Sequence, residues 1–297
     1  MLSIIVCSVS PEKLQHVTSN IQDTIGVEHE IIAIDNRVNK WSISKAYNEG
    51  ARLANYPYLF FVHEDVMFHS QNWGIIIEAK LREPDCGTIG FTGTKAMLNS
   101  YSGWWQFDDW MCSFFYQGTS GGLTCLCACN VSLEHPFEEV VTLDGMGLFV
   151  RKDVWSEYLF DEVNLKAFHC YDIDFTLRIA AEKKYKNYVC CSTNVLIEHF
   201  SEGKMDQGWY SDTIKMYKAK WDKLLPIKVE GFAISEKERR CKTERCFNYF
   251  VRKMLNTDCP EKNMVLKEFL LSPFSWKHLG HCISVLYKYI STSNKSH

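Results

Sequence analysis

The first ninety residues alternate between continuous apolar runs and segments of helical periodicity. LSIIVCSV is a short apolar run bounded by serines, and in PEKLQHVTSNIQDTIG the residues Leu14, Val17, Ile21 and Ile25 recur at helical spacing. Pro11 near its start and Gly26 at its end suit helix boundaries. The alternation repeats: HEIIAIDN reads as a strand, and SISKAYNEGARLANY as a helix with Ile43, Ala46, Tyr47 and Ala51 on one face. YLFFV, NWGIIIEAKLRE and GTIGFTG follow as strand, helix and strand. Strands apolar throughout and joined by helices predict an α/β domain with a mostly parallel central sheet flanked by helices. Ligands of such sheets bind outside the carboxyl ends of the strands, where Ser8, Asp35 and the run His63, Glu64, Asp65 fall.

Thr94 to Asn130 lacks clear periodicity and is crowded with aromatics, among them Trp104, Trp105 and Trp110. Such a segment is either functional or an extra packing layer. Beyond it, EEVVTLDGMGLFVRKDVW predicts two strands interrupted at Asp144 and Gly145, and YDIDFTLRIAAEKK a helix. YVCCSTNVLIEHF reads as a strand ending at Glu198 and His199, followed by Ser201, Glu202 and Gly203. From about Ile227 the character changes: residues 227–297 hold 13 Lys or Arg against 7 Asp or Glu, a net +6 in a chain of net charge −3. We therefore divide the chain into a domain over 1–226 and a helical C-terminal extension over 227–297. The stretch FLLSPFSWKHLGHCISVLYKYI suits either a helix lying on an anionic membrane or helices packed on the domain or on a second subunit.

A content of 46% hydrophobic and 23% charged residues is that of a soluble globular protein, and the near-neutral charge argues against a nucleic-acid partner. The opening apolar run is too short for a signal peptide or a membrane span, so a cytoplasmic protein is expected. The thirteen cysteines then read as free thiols. Cys125, Cys127 and Cys129 would share one face of a half-buried strand rather than form a zinc site.

Several carboxylates sit where chemistry would need them. Asp65 follows a buried strand, as a cap or ion pair, or, with His63 and Glu64 beside it, as part of a Mg²⁺ or Mn²⁺ site. Gly145 permits a tight turn that aims Asp144, which is also the pattern of a simple Asx-turn. Asp172 and Asp174 point in different directions on a helix. Asp174 is placed to pair with Arg178 four residues on, leaving Asp172, beside His169, as the better free base. His199, closing a strand, is structural or a ligand.

In order along the chain, SIIVCSVS, IIAIDN, AYNEGARLANYPYLFFVHEDV, LDGMGLFVRKDVW, YDIDFTLR and LIEHFSEG resemble the family 2 type of nucleotide-sugar glycosyltransferases with the GT-A fold, a Rossmann-like architecture. The resemblance is closest to the bacterial branch with an H-x-D-V metal motif and covers Leu2 to Pro226. It implies that Asp65 matches the last aspartate of the family's D-x-D motif, binding a divalent metal, Mn²⁺ or Mg²⁺, that bridges the donor's diphosphate. His63 stands where the family usually has its first aspartate, and His199 matches the histidine that completes the metal site in many members. Asp35 matches the contact to base or ribose, with Ser8 and Val9 forming that pocket. Asn48 falls at the asparagine of an A-x-N-x-G helix, and Glu64 and Asp144 join the donor set. Asp172 matches the catalytic aspartate, although the glutamate that usually precedes it is Tyr171 here.

The resemblance implies an inverting, metal-dependent transferase that moves a sugar, hexosyl in type, from a nucleotide-diphosphate donor to a glycan or lipid-linked acceptor in surface polysaccharide assembly. Trp104, Trp105 and Trp110 are candidates for the acceptor side or for core packing. The C-terminal extension would serve peripheral membrane contact or homo-oligomer formation. A structural partner acting through the basic tail, without nucleotide binding, is one alternative, and two more concern the same fold. One is a non-catalytic nucleotide- or glycan-binding module, since His63 and Tyr171 replace acidic residues. The other is a sugar nucleotidyltransferase, disfavoured by the lack of a glycine-rich, lysine-bearing phosphate loop.

Overall fold

Ser10 caps the first helix by accepting from the Lys13 amide, and Pro11 supplies the fixed φ of its first turn. In the computed structural model, which describes residues 1–293 apart from 119–121, 123, 133, 202, 273 and 274, that helix follows the first strand directly. The elements are β1 (Leu2–Ser8), α1 (Pro11–Thr24), β2 (His29–Asp35), α2 (Asn36–Asn39), α3 (Ile43–Leu53) and β3 (Tyr58–Val62). Next come β4 (Val66–Phe68), α4 (Trp73–Leu81), β5 (Cys86–Gly90), β6 (Thr92–Thr94), β7 (Ala96–Met97), β8 (Met111–Gly118) and β9 (Thr124–Cys129). β10 (Phe137–Val140), β11 (Thr142–Leu143), β12 (Gly147–Arg151), α5 (Lys152–Tyr158), α6 (Tyr171–Glu182), β13 (Lys186–Cys190) and β14 (Ile197–His199) complete the sheets. After α7 (Gln207–Met216) come β15 (Ile227–Lys228), α8 (Glu236–Met254), α9 (Lys262–Leu271) and α10 (Trp276–Ser293).

The central sheet has the order β10-β13-β5-β12-β3-β1-β2. Five of its seven strands run one way, and β12 and β10 reverse. Side chains of a strand alternate between faces, so Phe60 and Phe61 of β3 enter different cores. Phe60 stacks on Phe149 at 3.8 Å beside Trp73 under α1 and α4. Phe61 meets Tyr47 and Phe160 on the opposite face, under α3 and α6.

A second sheet, ordered β11-β6-β8-β14-β4 with β9 on β8, lies at the carboxyl edge of the first. The stretch YVCCSTNVLIEHF is therefore two strands in two sheets rather than one. A turn at Ser192–Val195, closed by a Val195 N to Ser192 O bond of 3.0 Å, lets β13 pair with β5 while β14 crosses to β4 and β8. The aromatic segment is likewise more regular than its pattern suggests, because β8 buries side chains on both faces and so shows no alternation. All thirteen cysteines are free, and Cys127 and Cys129 are half-buried on β9 with Cys125 exposed.

The C-terminal helices share a core with the preceding part of the chain. Phe247, Phe250, Phe269 and Val285 pack with Tyr101, Trp209, Tyr210 and Ile214, and β15 pairs with β7. α10 thus packs by one face, while Trp276, Leu279, Ile283, Leu286, Tyr287 and Ile290 stand exposed along the other. Glu202 of the LIEHFSEG motif and Pro273 and Phe274 of the last amphipathic stretch lie outside the described residues. Among those described, no helix is long and apolar enough to cross a membrane.

Candidate active site

β3 ends at Val62 and delivers His63, Glu64 and Asp65 to the carboxyl edge of the sheet, beside the ends of β1 and β2. The antiparallel pairing of β4 with β14 sets His199 opposite Val66, and Phe200 N bonds Asp65 O at 3.0 Å. This pairing joins residues 134 apart in sequence: His199 Nε2 lies 3.5 Å from Asp65 Oδ1. The ligand atoms of His63, Asp65 and His199 all lie within 4.8 Å of one another. Lys13 Nζ of α1 stands 3.7 Å from Asp65 Oδ2.

His63 is neutral by construction. Burial, then repulsion from His199, pushes its pKa down to about 4. Its Nε2 meets the Tyr171 hydroxyl at 2.8 Å, and that hydroxyl donates to the Gly145 carbonyl at 3.0 Å. The tyrosine oxygen must then accept from His63 Nε2–H, which leaves Nδ1 with the lone pair. The two departures from the family's acidic pattern, His63 and Tyr171, are thus hydrogen-bonded partners. For Asp65, burial works to raise the pKa, but the hydrogen bond and the charge of His199 outweigh it and hold the carboxyl well below the usual range.

Asp172 opens α6 after Cys170, whose φ of 65° turns the chain into the helix. Its Oδ2 accepts from Gly145 N at 2.8 Å, while Asp144 Oδ1 accepts from Met146 N at 2.9 Å in the Asx-turn. Gly145 is required here: a Cβ would collide with the Tyr171 hydroxyl and stand 3.2 Å from Asp172 Cβ. Burial and then the nearby Asp144 carboxylate push the Asp172 pKa up to about 7. Asp174 is 1% exposed and pairs with Arg178, Lys220 and the Trp221 indole. It is structural, as its spacing predicted.

Other sequence candidates fall elsewhere. Asn48 is 1% exposed, and its amide is fully engaged with Phe160 N and O, Glu162 and the Trp155 indole. It ties α3 to α5 and to the chain that follows it, and its amide has internal partners on both its oxygen and its nitrogen. Glu64 Oε2 accepts from Ser8 Oγ at 2.6 Å and from the amides of Val9 and Ser10 at 3.1 Å. It braces the loop after β1, so that oxygen and the Ser8 hydroxyl are committed internally. Asp35 is at the end of β2 and accepts from Arg37 at its N-cap position. Trp110, 2% exposed against Phe107 and Phe232, is core and not an acceptor surface. Trp104 is half-buried, and Trp105 lines a cavity of ≈ 530 Å³ with Tyr249, Arg245, Arg252 and Lys253.

Sequence reading passed over Lys13 and Gln117. Gln117 Nε2 donates to the carbonyls of His199 and Ser201, fixing the segment that carries the second imidazole of the set. Nothing in the sequence marks Gln117, whereas Lys13 follows the end of β1 closely enough to have been considered.

The donor set fits a divalent cation. One ionised carboxylate and two imidazoles, one of them held neutral with its tautomer set by Tyr171, are borderline ligands. Two nitrogen donors depart from the all-oxygen coordination that Mg²⁺ prefers.

Comparison with known proteins agrees with the fold. No curated protein sequence matches the chain. A solved structure of GalNAc-T7 with UDP, GalNAc and Mn²⁺ superposes with a TM-score of 0.50 at 9% identity. The match covers 75% of this chain and 48% of that one, so the chain spans about half its length. The mannosyltransferase PcManGT from Pyrobaculum calidifontis, solved with GDP-Man and Mn²⁺, covers 99% of the chain and 86% of its own at 9% identity and a TM-score of 0.48. A family model described as glycosyltransferase-like matches residues 3–221, which include every residue of the cleft, and the chain accordingly belongs to that glycosyltransferase family with the GT-A fold.

Proposed function

We propose that the protein transfers a hexosyl group from a nucleoside-diphosphate sugar to a glycan or lipid-linked acceptor, with inversion at the anomeric carbon. The observation that carries the reading is the placing of Asp172, a carboxylate with a pKa of about 7, at the same sheet edge as the His63, Asp65 and His199 set. His63, Asp65 and His199 would hold the divalent ion. When bound, that ion supplies Lewis acidity for the departing diphosphate. Lys13 adds positive charge next to the set. Asp35 and the loop of Ser8 and Val9, braced by Glu64, would border the base and ribose.

Asp172 takes the proton of the acceptor hydroxyl as that oxygen attacks the anomeric carbon. Burial and Asp144 raise its basicity to the range in which a carboxylate can do this near neutral pH. A single base with direct displacement inverts the configuration. The test is heat denaturation with UDP, GDP, CDP, ADP and dTDP in the presence of Mn²⁺, Mg²⁺ or EDTA. One nucleotide should stabilise only with metal, by about 2.7 kcal/mol at a hundred times its Kd. No shift with any nucleotide would defeat the reading and favour a module without transferase activity.

The acceptor side belongs to the same proposal. Trp105 and Tyr249 offer faces for sugar rings, and Arg245, Arg252 and Lys253 in the same cavity suit a phosphate-bearing, lipid-linked acceptor. The exposed stripe of α10 would rest on an anionic membrane, because α10 has no acidic residue and residues 227–297 carry a net +6. That same charge works against pairing with a second copy. Flotation with phosphatidylglycerol vesicles should carry the protein upward, and should fail for Leu279→Asp with Ile283→Asp. Equal recovery of the variant and wild type, or none of either, would remove the membrane contact. A role in surface polysaccharide assembly follows from an acceptor of this kind.

A further inference from the structure

We propose that Glu244, His278 and His281 form a second metal site, for a borderline divalent ion of the zinc class, fastening α10 to α8. It shares no residue with the cleft and lies outside the family-matched residues 3–221. It stands independently of the reading of the active site.

α8 supplies Glu244. α10 supplies His278 and His281, whose spacing of three puts them on one side of the helix. The three ligand atoms lie within 4.8 Å of one another, and His281 Nδ1 is 3.1 Å from Glu244 Oε1. Tetrahedral ligands about 2.1 Å from zinc stand roughly 3.4 Å apart, so a small rotation of one side chain closes the set. Glu244 and His278 are 7% and 6% exposed.

Each of those two buried ligands is oriented by a bond on its other atom, as ligands of metal sites are. Glu244 Oε2 accepts from Ser275 Oγ at 2.7 Å and from Ser275 N at 3.4 Å, leaving Oε1 toward the histidines. His278 Nε2 meets the Phe269 carbonyl at 2.8 Å. A carbonyl only accepts, so Nε2 carries the proton and Nδ1 the lone pair. A plain histidine–glutamate ion pair accounts less well for His281. Its Nδ1 is buried and makes no hydrogen bond even though it faces Oε1 at 3.1 Å. A cation placed between this nitrogen and Oε1 would engage both atoms. Three protein ligands leave one position for water.

The test uses the full chain, free of any affinity tag, equilibrated with Zn²⁺, exchanged into metal-free buffer and assayed for zinc by mass spectrometry. The wild type should retain one zinc per chain at this site and melt at a higher temperature with zinc than after chelation. His281→Ala and Glu244→Gln should lose that zinc and that rise, whereas Asp65→Ala should keep both. Circular dichroism establishes that the variants are folded, and Co²⁺ absorption bands that vanish in His281→Ala report the ligands directly. If either variant fails to fold, Co²⁺ bands of a tetrahedral site that persist in the Asp65→Ala variant still decide the matter. Zinc retained equally by His281→Ala and Glu244→Gln, lost only in Asp65→Ala, or absent from the wild type overturns the proposal.

Discussion

Asp172→Asn is expected to lower sugar transfer about 10²- to 10⁴-fold, the range over which a positioned base acts. The same change should make the folded protein more stable at pH 8. Both effects come from one environment. The carboxyl is pushed up to about 7 by burial and by Asp144, whereas an unfolded aspartate titrates at about 3.9. Below pH 4 both states hold the proton and the group has no effect on folding. As pH rises from 4 to 7 the unfolded chain releases its proton while the folded one keeps it, so stability falls. Above 7 the penalty is complete. Asparagine retains an oxygen for the Gly145 amide and never ionises. Its advantage should be about 1–3 kcal/mol at pH 8, because Asp172 keeps some solvent contact, and should vanish near pH 4. Urea denaturation at the two pH values measures it. In the wild type, transfer should rise with pH and reach half its plateau near 7. A pH-independent rate between 5.5 and 8.5 would remove Asp172 as the base.

Asp65→Ala should abolish the metal-dependent stabilisation by nucleotide and cut transfer about 10³-fold, a loss that excess EDTA reproduces in the wild type. Asp65 is the one carboxylate of the His63, Asp65 and His199 set and so its anionic ligand. Without it two imidazoles remain, and Lys13 loses its partner. His63→Asp tests the same geometry from the other side. Exchanging a neutral nitrogen for an anionic oxygen should shift preference from Mn²⁺ toward Mg²⁺ and free the Tyr171 hydroxyl from its nitrogen partner. Calorimetric titration of nucleotide with each metal reads both changes. Nucleotide binding that is indifferent to EDTA and to Asp65→Ala would place the donor elsewhere.

Local pattern accounts for much of this protein. Continuous apolar strands and helices of 3.6-residue period in the first ninety residues specify the α/β layers, because a strand covered on both faces has no polar side to show. The placing of His63, Glu64 and Asp65 at a strand end, and the pairing of Asp174 with Arg178, follow from the same periodicities. What periodicity cannot report is which polar groups find partners inside the fold. Asn48 occupies a motif position, yet four hydrogen bonds from the chain itself use up its amide. Glu64 is likewise turned into a brace for the loop after β1. Trp110 and Trp105 look alike in an aromatic run, and only packing puts one in the core and the other in a cavity.

By itself, then, the sequence determined the kind of sheet and which of its edges gathers the candidate residues, since both depend on local spacing and on strand polarity. The long-range pairings were decided by tertiary structure. His199 reaches Asp65 because β14 crosses into a second sheet, and His63 bonds Tyr171 across 108 residues. These contacts set the tautomer of His63 and the low pKa of Asp65, while burial beside Asp144 raises Asp172. Their physical origin is desolvation and charge at distances of a few ångströms, which spacing along a chain does not encode.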